Sequence, residues 1–166
     1  MLENVFIKNL AGYQSYHLNP HNQLTHFFGI PMIVISVIWI STWLPLGLEY
    51  LVFFGFIALW LAMDLVIGAI LGLIFLPFFL IGLNWFQGLY ETNFWLGLGI
   101  FAVLFVVGWI IQIVGHIFEG RKPALMDNLF QGLLGPMFLV YEFFVHTGQR
   151  QALQRKVENE LADLIA

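Results

Sequence analysis

LVIGAILGLIFLPFFLIGLNWFQGL, residues 65–89, is a run of 25 residues without a charged side chain. A helix needs about 20 consecutive, mostly apolar residues to cross the hydrocarbon core of a membrane. Three further runs are similarly apolar: about Leu24–Leu44, Leu48–Met63 and Phe94–Ile117. They are continuous, whereas the strands of membrane barrels alternate apolar and polar residues. The sequence therefore predicts an all-α integral membrane bundle with four transmembrane helices, the second of them short.

The composition of the whole chain agrees with this prediction. Of its 166 residues, 60% are hydrophobic and only 10% are charged, against about a quarter charged in ordinary soluble domains. A soluble fold of this size would expose much apolar surface to water, whereas a helical bundle in lipid keeps it covered. We therefore expect one membrane domain over residues 1–166.

Composition also excludes several kinds of chemistry. The chain has no cysteine, so disulfides, thiolate metal sites and a cysteine nucleophile are excluded. The formal net charge of −4 offers no basic stripe, which argues against nucleic acid as a partner. Residues 1–23 lack the apolar core and cleavage site of a signal peptide, so the N-terminus is expected to be retained.

Two segments follow the fourth apolar run. Asn128–Phe144 is apolar but contains two glycines and Pro136 in its middle, which is typical of a broken, re-entrant or protein-buried helix. In the tail, residues 147–166, apolar side chains recur at helical spacing among charges: Leu153, Val157, Leu161 and Leu164. This spacing predicts an interfacial amphipathic helix at the C-terminus.

The basic residues predict the orientation in the membrane. All six lie before the first span or after the fourth: Lys8, Arg121, Lys122, Arg150, Arg155 and Lys156. Because cytoplasmic loops are enriched in Lys and Arg, both termini are expected to be cytoplasmic. The host membrane, bacterial inner membrane or endoplasmic reticulum, is left open.

The histidines gather at the same predicted membrane face. YHLNPHNQLTHFFGIP, residues 16–31, places His17 and His26 at the entry to the first span, with Asn19 as the expected N-cap of its helix. His116 lies where the fourth span returns to that face. Imidazole is a preferred ligand of transition metals, and a catalytic site needs about three protein ligands. These three histidines therefore predict a metal site, with zinc and iron both open.

Other polar residues near this face are candidates for the same site. Gln112, His116 and Glu119 share one helical face, and Glu119 could be a ligand, a general base or an acceptor that orients an imidazole. His21 ranks lower, because a continuous helix turns it about 140° from His26. The weaker candidates, which could equally be helix caps, are Asp64, Asp127 and Asn128.

Two signatures carry a resemblance to a known family. Residues 16–31 resemble the opening signature of the Mpo1-like family, and GWIIQIVGHIFEGRKPALMDNLFQGLLGPMFLVYEFF, residues 108–144, resembles its second signature. Both occur in the family's order, and the resemblance covers about residues 12–146.

The resemblance implies a membrane dioxygenase that uses Fe(II) and O₂ to shorten 2-hydroxy fatty acids by one carbon. Carried over onto this chain, it implies His17, His26 and His116 as the metal ligands. It further implies a set of surrounding polar residues: Asn19, Asn22, Gln112, Glu119, Asp127 and Asn128. His21 stands at a variable position of the first signature.

A mechanism can be stated on these residues as a hypothesis. Glu119 is expected to act as the catalytic base, and Arg121 or Lys122 to attract the substrate carboxylate. Asn19, Asn22 and Gln112 are expected to contact the substrate, and the partners are the fatty acid, O₂ and membrane lipids. The alternatives are a zinc-dependent membrane hydrolase and a non-enzymatic lipid-binding or transport protein.

Overall fold

The structure, a computed structural model, describes residues 2–123 and 130–165, and these residues form helices with no strand among them. The all-α prediction is confirmed. The α-helices, in chain order, are α1 (Leu2–Gln14), α2 (Pro20–Ser41), α3 (Leu48–Met63), α4 (Leu65–Ile81), α5 (Gln87–Thr92), α6 (Phe94–Glu119), α7 (Gln131–Thr147) and α8 (Gln151–Ile165).

Three helices in the described part of the chain are long and apolar enough to cross a membrane: Pro20–Ser41, Leu65–Thr92 and Phe94–Glu119. The second comprises α4 and α5, joined without a break by a π-helical turn at Gly82–Phe86. Helix α3 is apolar but has only 16 residues, about 24 Å at 1.5 Å per residue, which is less than the hydrocarbon thickness of about 30 Å. These helices indicate an integral membrane protein.

The long helices begin and end where the sequence offers caps. The side chain of Asn19 accepts a hydrogen bond from the His21 N–H (2.9 Å) and Pro20 takes the first helical position, so α2 begins where predicted. Helix α6 ends at Gly120, whose φ of 71° is the left-handed conformation that stops a helix. Together, these caps hold the two helix ends that carry histidines.

Four apolar helices pack as two pairs, α2 with α6 and α3 with α4. Glycine permits each close approach. A Cβ atom at Gly29 would lie 2.8 Å from the backbone oxygen of Gly108 on α6, and one at Gly68 would lie 2.5 Å from the backbone nitrogen of Leu61 on α3. Because a backbone cannot yield as a side chain can, each pair depends on these glycines.

Helices α1 and α8 pack together beside the two pairs. Helix α1 was not predicted, although its spacing of Phe6, Leu10 and Tyr13 is helical and all three side chains are buried. Helix α8 is amphipathic as predicted, and Leu153 and Val157 are buried. Part of its apolar face is therefore covered by protein, while its place at a membrane interface stays a prediction.

Helix α7 differs from the broken segment that the sequence predicted. It runs without interruption from Gln131 to Thr147 with Pro136 inside it. Pro136 lies early in the helix, where the N–H that it lacks has its acceptor in the first turn, so the loss is confined to that end. Side chains from Leu134 to Phe144 are largely buried against neighbouring helices, which agrees with the protein-buried alternative.

Candidate metal centre

Three histidines from distant parts of the chain meet at one end of the α2/α6 pair. His17 lies in the turn before α2, His26 lies in the second turn of α2, and His116 lies in the last turn of α6. A ring nitrogen of each lies within 4.8 Å of one from each of the other two. All three are buried, with exposed fractions of 1%, 2% and 6%.

The hydrogen bonds of two histidines fix where their protons lie. His17 Nδ1 is 2.6 Å from the backbone oxygen of Tyr13, and His26 Nδ1 is 2.9 Å from that of Asn22. A carbonyl oxygen only accepts, so each Nδ1 carries the proton and each Nε2 presents a lone pair. The two Nε2 atoms face each other at 2.9 Å. Two lone pairs at this distance repel unless they share a cation.

This arrangement fits a transition-metal ion. Two ligand atoms that each lie about 2.1 Å from one ion, at right angles, are about 3 Å apart. Histidines that bind metals usually donate their other ring N–H to a carbonyl or carboxylate, as His17 and His26 do here. His116 Nδ1 is buried with no hydrogen-bond partner among the described residues, which a third ligand would explain.

The neutral state that a metal ligand needs is enforced at His17. Burial lowers the pKa of His17 to about 2, and the neighbouring His26 and His116 contribute to the shift. The ring also stacks on Tyr13, with ring centroids 4.2 Å apart and planes 9° from parallel. The imidazole is therefore held neutral and oriented.

Glu119 joins the two stretches that carry the histidines. Its Oε1 accepts the backbone N–H of Leu18 (3.1 Å). Its Oε2 accepts the backbone N–H of Asn19 (2.9 Å) and the side-chain amide of Asn22 (3.0 Å). One turn before it on α6 is His116, so the carboxylate fixes the His17 turn relative to His116.

Other predicted site residues reinforce the same junction. The Asn19 amide donates to the backbone oxygen of Phe118 (2.9 Å), and the Asn22 amide donates to that of Tyr16 (3.0 Å). Arg121 donates to the backbone oxygen of Ser15 (3.1 Å). These side chains hold the polypeptide around the histidines.

A cavity of about 110 Å³ adjoins the histidines. His17 and His116 form part of its wall, together with Gln112, which was predicted, and Gln131, which was not. Gln131 Oε1 is buried without a hydrogen-bond partner among the described residues. The remaining wall is mainly apolar, so the cavity has a polar end at the histidines and two amide side chains.

Several predicted candidates lie elsewhere. His21 is exposed, with its ring 5.5 Å from that of Phe118, and it does not belong to the histidine group. Asp64 caps α4 by accepting from the Val66 and Ile67 N–H groups, and it pairs with Arg150 at 2.6 Å. Lys122 is exposed and does not line the cavity.

Two further candidates, Asp127 and Asn128, fall outside the described residues.

Two residues of the site, Tyr13 and Gln131, were not predicted from the sequence. Tyr13 provides both the carbonyl and the ring that orient His17. The signal for Tyr13 was the helical spacing within α1, and the signal for Gln131 was a polar residue inside an otherwise apolar stretch.

The fold and the buried histidine group define a class: a helical membrane protein with a potential metal centre at one end of its bundle. Residues 4–147 match the family described as "2-hydroxy-palmitic acid dioxygenase Mpo1-like", and the chain belongs to this family. It is similar to the 2-hydroxy-palmitic acid dioxygenase MPO1 of Saccharomyces cerevisiae (strain ATCC 204508 / S288c), with 35% identity over 162 residues, 92% of this chain and 87% of the relative. No solved structure matches the chain.

This similarity supports a role in the metabolism of 2-hydroxy fatty acids and an activity of the dioxygenase type.

Proposed function

We propose that the protein is an Fe(II)-dependent membrane dioxygenase that shortens 2-hydroxy fatty acids by one carbon. The reaction balances as R–CH(OH)–COOH + O₂ → R–COOH + CO₂ + H₂O. The observation that carries the proposal is the approach of the Nε2 atoms of His17 and His26 to 2.9 Å, with both Nδ1 atoms against backbone carbonyl oxygens and His116 beside them. The similarity to a 2-hydroxy-palmitic acid dioxygenase supports the substrate class.

We assign the metal to His17, His26 and His116. Three imidazoles suit iron as well as zinc, and the dioxygenase relative favours iron. When bound, the ion supplies Lewis acidity and a site where O₂ and the substrate's hydroxyl and carboxylate can be held together. The Nδ1–H bonds of His17 and His26 keep both rings in the tautomer that presents Nε2.

Gln112 and Gln131 are proposed to orient the polar end of the substrate. Both line the cavity beside His17 and His116, and their amides can donate to a carboxylate or accept from a hydroxyl. Arg121 is exposed and already donates to Ser15, so we propose that it stabilises the turn before α2.

For Glu119 we propose a positioning role in place of the base that the sequence suggested. Its two oxygens already accept three hydrogen bonds, two from the turn that carries His17 and one from Asn22 in the first turn of α2. These bonds direct the carboxylate toward the polypeptide. Glu119 therefore acts through the geometry of the histidines.

The function is tested by anaerobic reconstitution with Fe(II), followed by O₂ and 2-hydroxypalmitate. We expect iron bound in a ratio near one per chain and a fatty acid product one carbon shorter, detected by mass spectrometry. Palmitate, which lacks the 2-hydroxyl, is the control and should remain unchanged. Turnover that needs zinc but no O₂ would instead favour the hydrolase alternative.

We also propose four membrane crossings, by α2, α3, α4 with α5, and α6, with both termini on the cytoplasmic side. The start of α2 and the end of α6 lie together at the histidines, which supports an even number of crossings. Beside the three long spans, we assign the fourth crossing to the short helix α3. Helix α7 would then stay on the cytoplasmic side of the bundle.

The absence of native cysteine makes this topology testable with single cysteines. Lys8→Cys and Gln151→Cys should react with a membrane-impermeant thiol reagent only from the cytoplasmic side. Leu46→Cys, which replaces a residue 96% exposed in the turn between α2 and α3, should react only from the opposite side. Labelling of all three from one side would refute the four crossings.

A further inference from the structure

A second cavity adjoins the one beside the histidines. Its volume is about 170 Å³, and Ile33, Val34 and Gly132 line both cavities. Its walls are almost entirely apolar, and the hydroxyl of its one serine, Ser41, donates to its own helix at Ile38 (2.7 Å). The lining of the second cavity is therefore apolar, and its one serine hydroxyl already has a hydrogen-bond acceptor.

The second cavity lies in the seam between the two helix pairs. One wall is α2 from Ile33 to Ser41, the opposite wall is α3 from Val52 to Trp60, and α7 closes the end nearer the histidines. Val37 and Phe56 on this seam are 36% and 37% exposed. The seam is thus open along one side, where lipid would surround the helices.

The length of this path suits a long acyl chain. From His26 to Ser41 is 15 residues of one helix, about 22 Å at 1.5 Å per residue. A zigzag hydrocarbon with C–C bonds of about 1.5 Å advances about 1.25 Å per carbon, so the path accommodates about 18 carbons. A chain bound at the histidines would therefore end near Ser41 and Val52.

We propose that the second cavity holds the acyl chain of the substrate, and that its far end, formed by Val37, Ser41 and Val52, sets the chain-length preference. This inference rests on the proposed function for the nature of the substrate. The residues that select the chain lie far from the histidines, so chain-length preference and metal binding are separable by mutation.

The enzymatic test compares Val52→Phe with Val103→Phe. Both changes add the same volume, but Val103 lies on α6 with 61% exposure and does not line the cavity. With 2-hydroxy acids of about ten to about twenty carbons, Val52→Phe should lower kcat/KM for 2-hydroxypalmitate about tenfold or more relative to the shortest acid, because lost apolar contacts discriminate on this scale. Val103→Phe should leave the profile unchanged. An unchanged profile in folded Val52→Phe would overturn the proposal.

Val37→Phe places a larger side chain in the same part of the second cavity, on the wall formed by α2. It should shift the profile in the same direction, and it serves as the second variant if Val52→Phe does not fold.

A binding measurement separates this proposal from the proposed function. A 2-hydroxypalmitate analogue with a diazirine at its terminal carbon should label residues 37–41 and 52–56 of the wild-type protein, as mapped by mass spectrometry. Unlabelled 2-hydroxypalmitate should compete, whereas phospholipid should not. Labelling at these residues without turnover of any 2-hydroxy acid would refute the proposed dioxygenase function but support binding of the acyl chain in the second cavity.

Turnover of 2-hydroxypalmitate with the label outside these residues would refute binding of the acyl chain in the second cavity but support the proposed function. Label at these residues that only phospholipid displaces would mean that a membrane lipid occupies the cavity, and would also overturn the proposal.

Discussion

The two ends of the α2/α6 pair are held together in different ways. At the histidine end, Glu119 and Asn19 form hydrogen bonds between the turn before α2 and the last turn of α6. At the opposite end, Trp43 stacks on Phe86 and Phe94, with ring centroids 5.2 and 5.3 Å apart, and its indole N–H donates to the Phe86 backbone oxygen (3.1 Å). One end depends on directional polar contacts and the other mainly on aromatic packing.

The difference follows from what each end has to hold. Ligand atoms of one ion must lie within a few tenths of an ångström of their positions, and several hydrogen bonds to rigid backbone groups impose that precision. Aromatic packing stabilises the helix pair but tolerates small shifts in the rings. We therefore expect changes at the histidine end to affect metal binding first and changes at the aromatic end to affect stability first.

The largest effect is expected for His116→Ala, which removes the one proposed ligand on α6. Because the proposed metal site then has only two imidazoles, iron retention and turnover should both fall below detection. Metal analysis of the purified variant and a product assay measure the two effects. His21→Ala removes an exposed histidine outside the group and should retain both. Full iron content in His116→Ala would refute the ligand assignment.

A glycine at each end permits a matched comparison. A Cβ atom at Gly115 would overlap the Thr25 hydroxyl and lie 2.5 Å from Asn22 Oδ1, whereas one at Gly97 would lie 2.5 Å from the ring of Trp43. Each Gly→Ala change should cost about 1–3 kcal/mol of stability by overpacking.

Iron bound per folded molecule should fall only in Gly115→Ala, because only that change displaces groups next to His26 and Glu119. Thermal unfolding and metal analysis of both variants provide the measurements. Equal iron content in the two variants would show that the ends do not differ as proposed.

Glu119→Gln separates the positioning role from the base role. Glutamine has one acceptor oxygen where the carboxylate has two. Its amide NH₂ group therefore faces an N–H donor and cannot accept that hydrogen bond, so the turn that carries His17 is held less firmly. We expect iron affinity to fall about 10- to 100-fold, with kcat largely recovered at saturating iron. A fall in kcat at unchanged iron affinity would restore the base assignment.

The smallest effect is expected for Trp43→Phe. The ring stacking is retained while the hydrogen bond to the Phe86 backbone oxygen is lost, which should cost about 0.5–1.5 kcal/mol. A small decrease in thermal stability with unchanged iron content and turnover is the expected result. Loss of iron in this variant would mean that the aromatic end also controls the geometry of the histidines.

Much of the fold could be predicted from the sequence. The apolar runs predicted the long helices, and Asn19 with Pro20 predicted the start of α2, because hydrophobic length and capping act over neighbouring residues. Helix α1 was not predicted because it is short and contains no continuous apolar run, and its apolar side chains are buried only by contact with other helices, mainly α7 and α8. Of the alternatives predicted for Asn128–Phe144, the broken helix was wrong and the protein-buried helix agrees with α7, because the N–H that Pro136 lacks has its acceptor in the first turn.

The candidate site, like the fold, could be predicted from the sequence only in part. The residue types and positions of His17, His26 and His116 indicated a metal site, and the variable position of His21 agreed with its exposure. Glu119 was expected to act on the substrate, yet it binds the backbone of Leu18 and Asn19. No sequence pattern reveals this role, because its partners are backbone groups about 100 residues away.

The sequence by itself determined the helical membrane class, the family signatures and the three histidines, because apolar length, composition and residue type are properties of a linear chain. Only the tertiary structure decided which imidazole nitrogens face one another, what Glu119 holds and where a cavity continues from the histidines. These features depend on contacts between residues distant in sequence, whose distances are set when the helices pack.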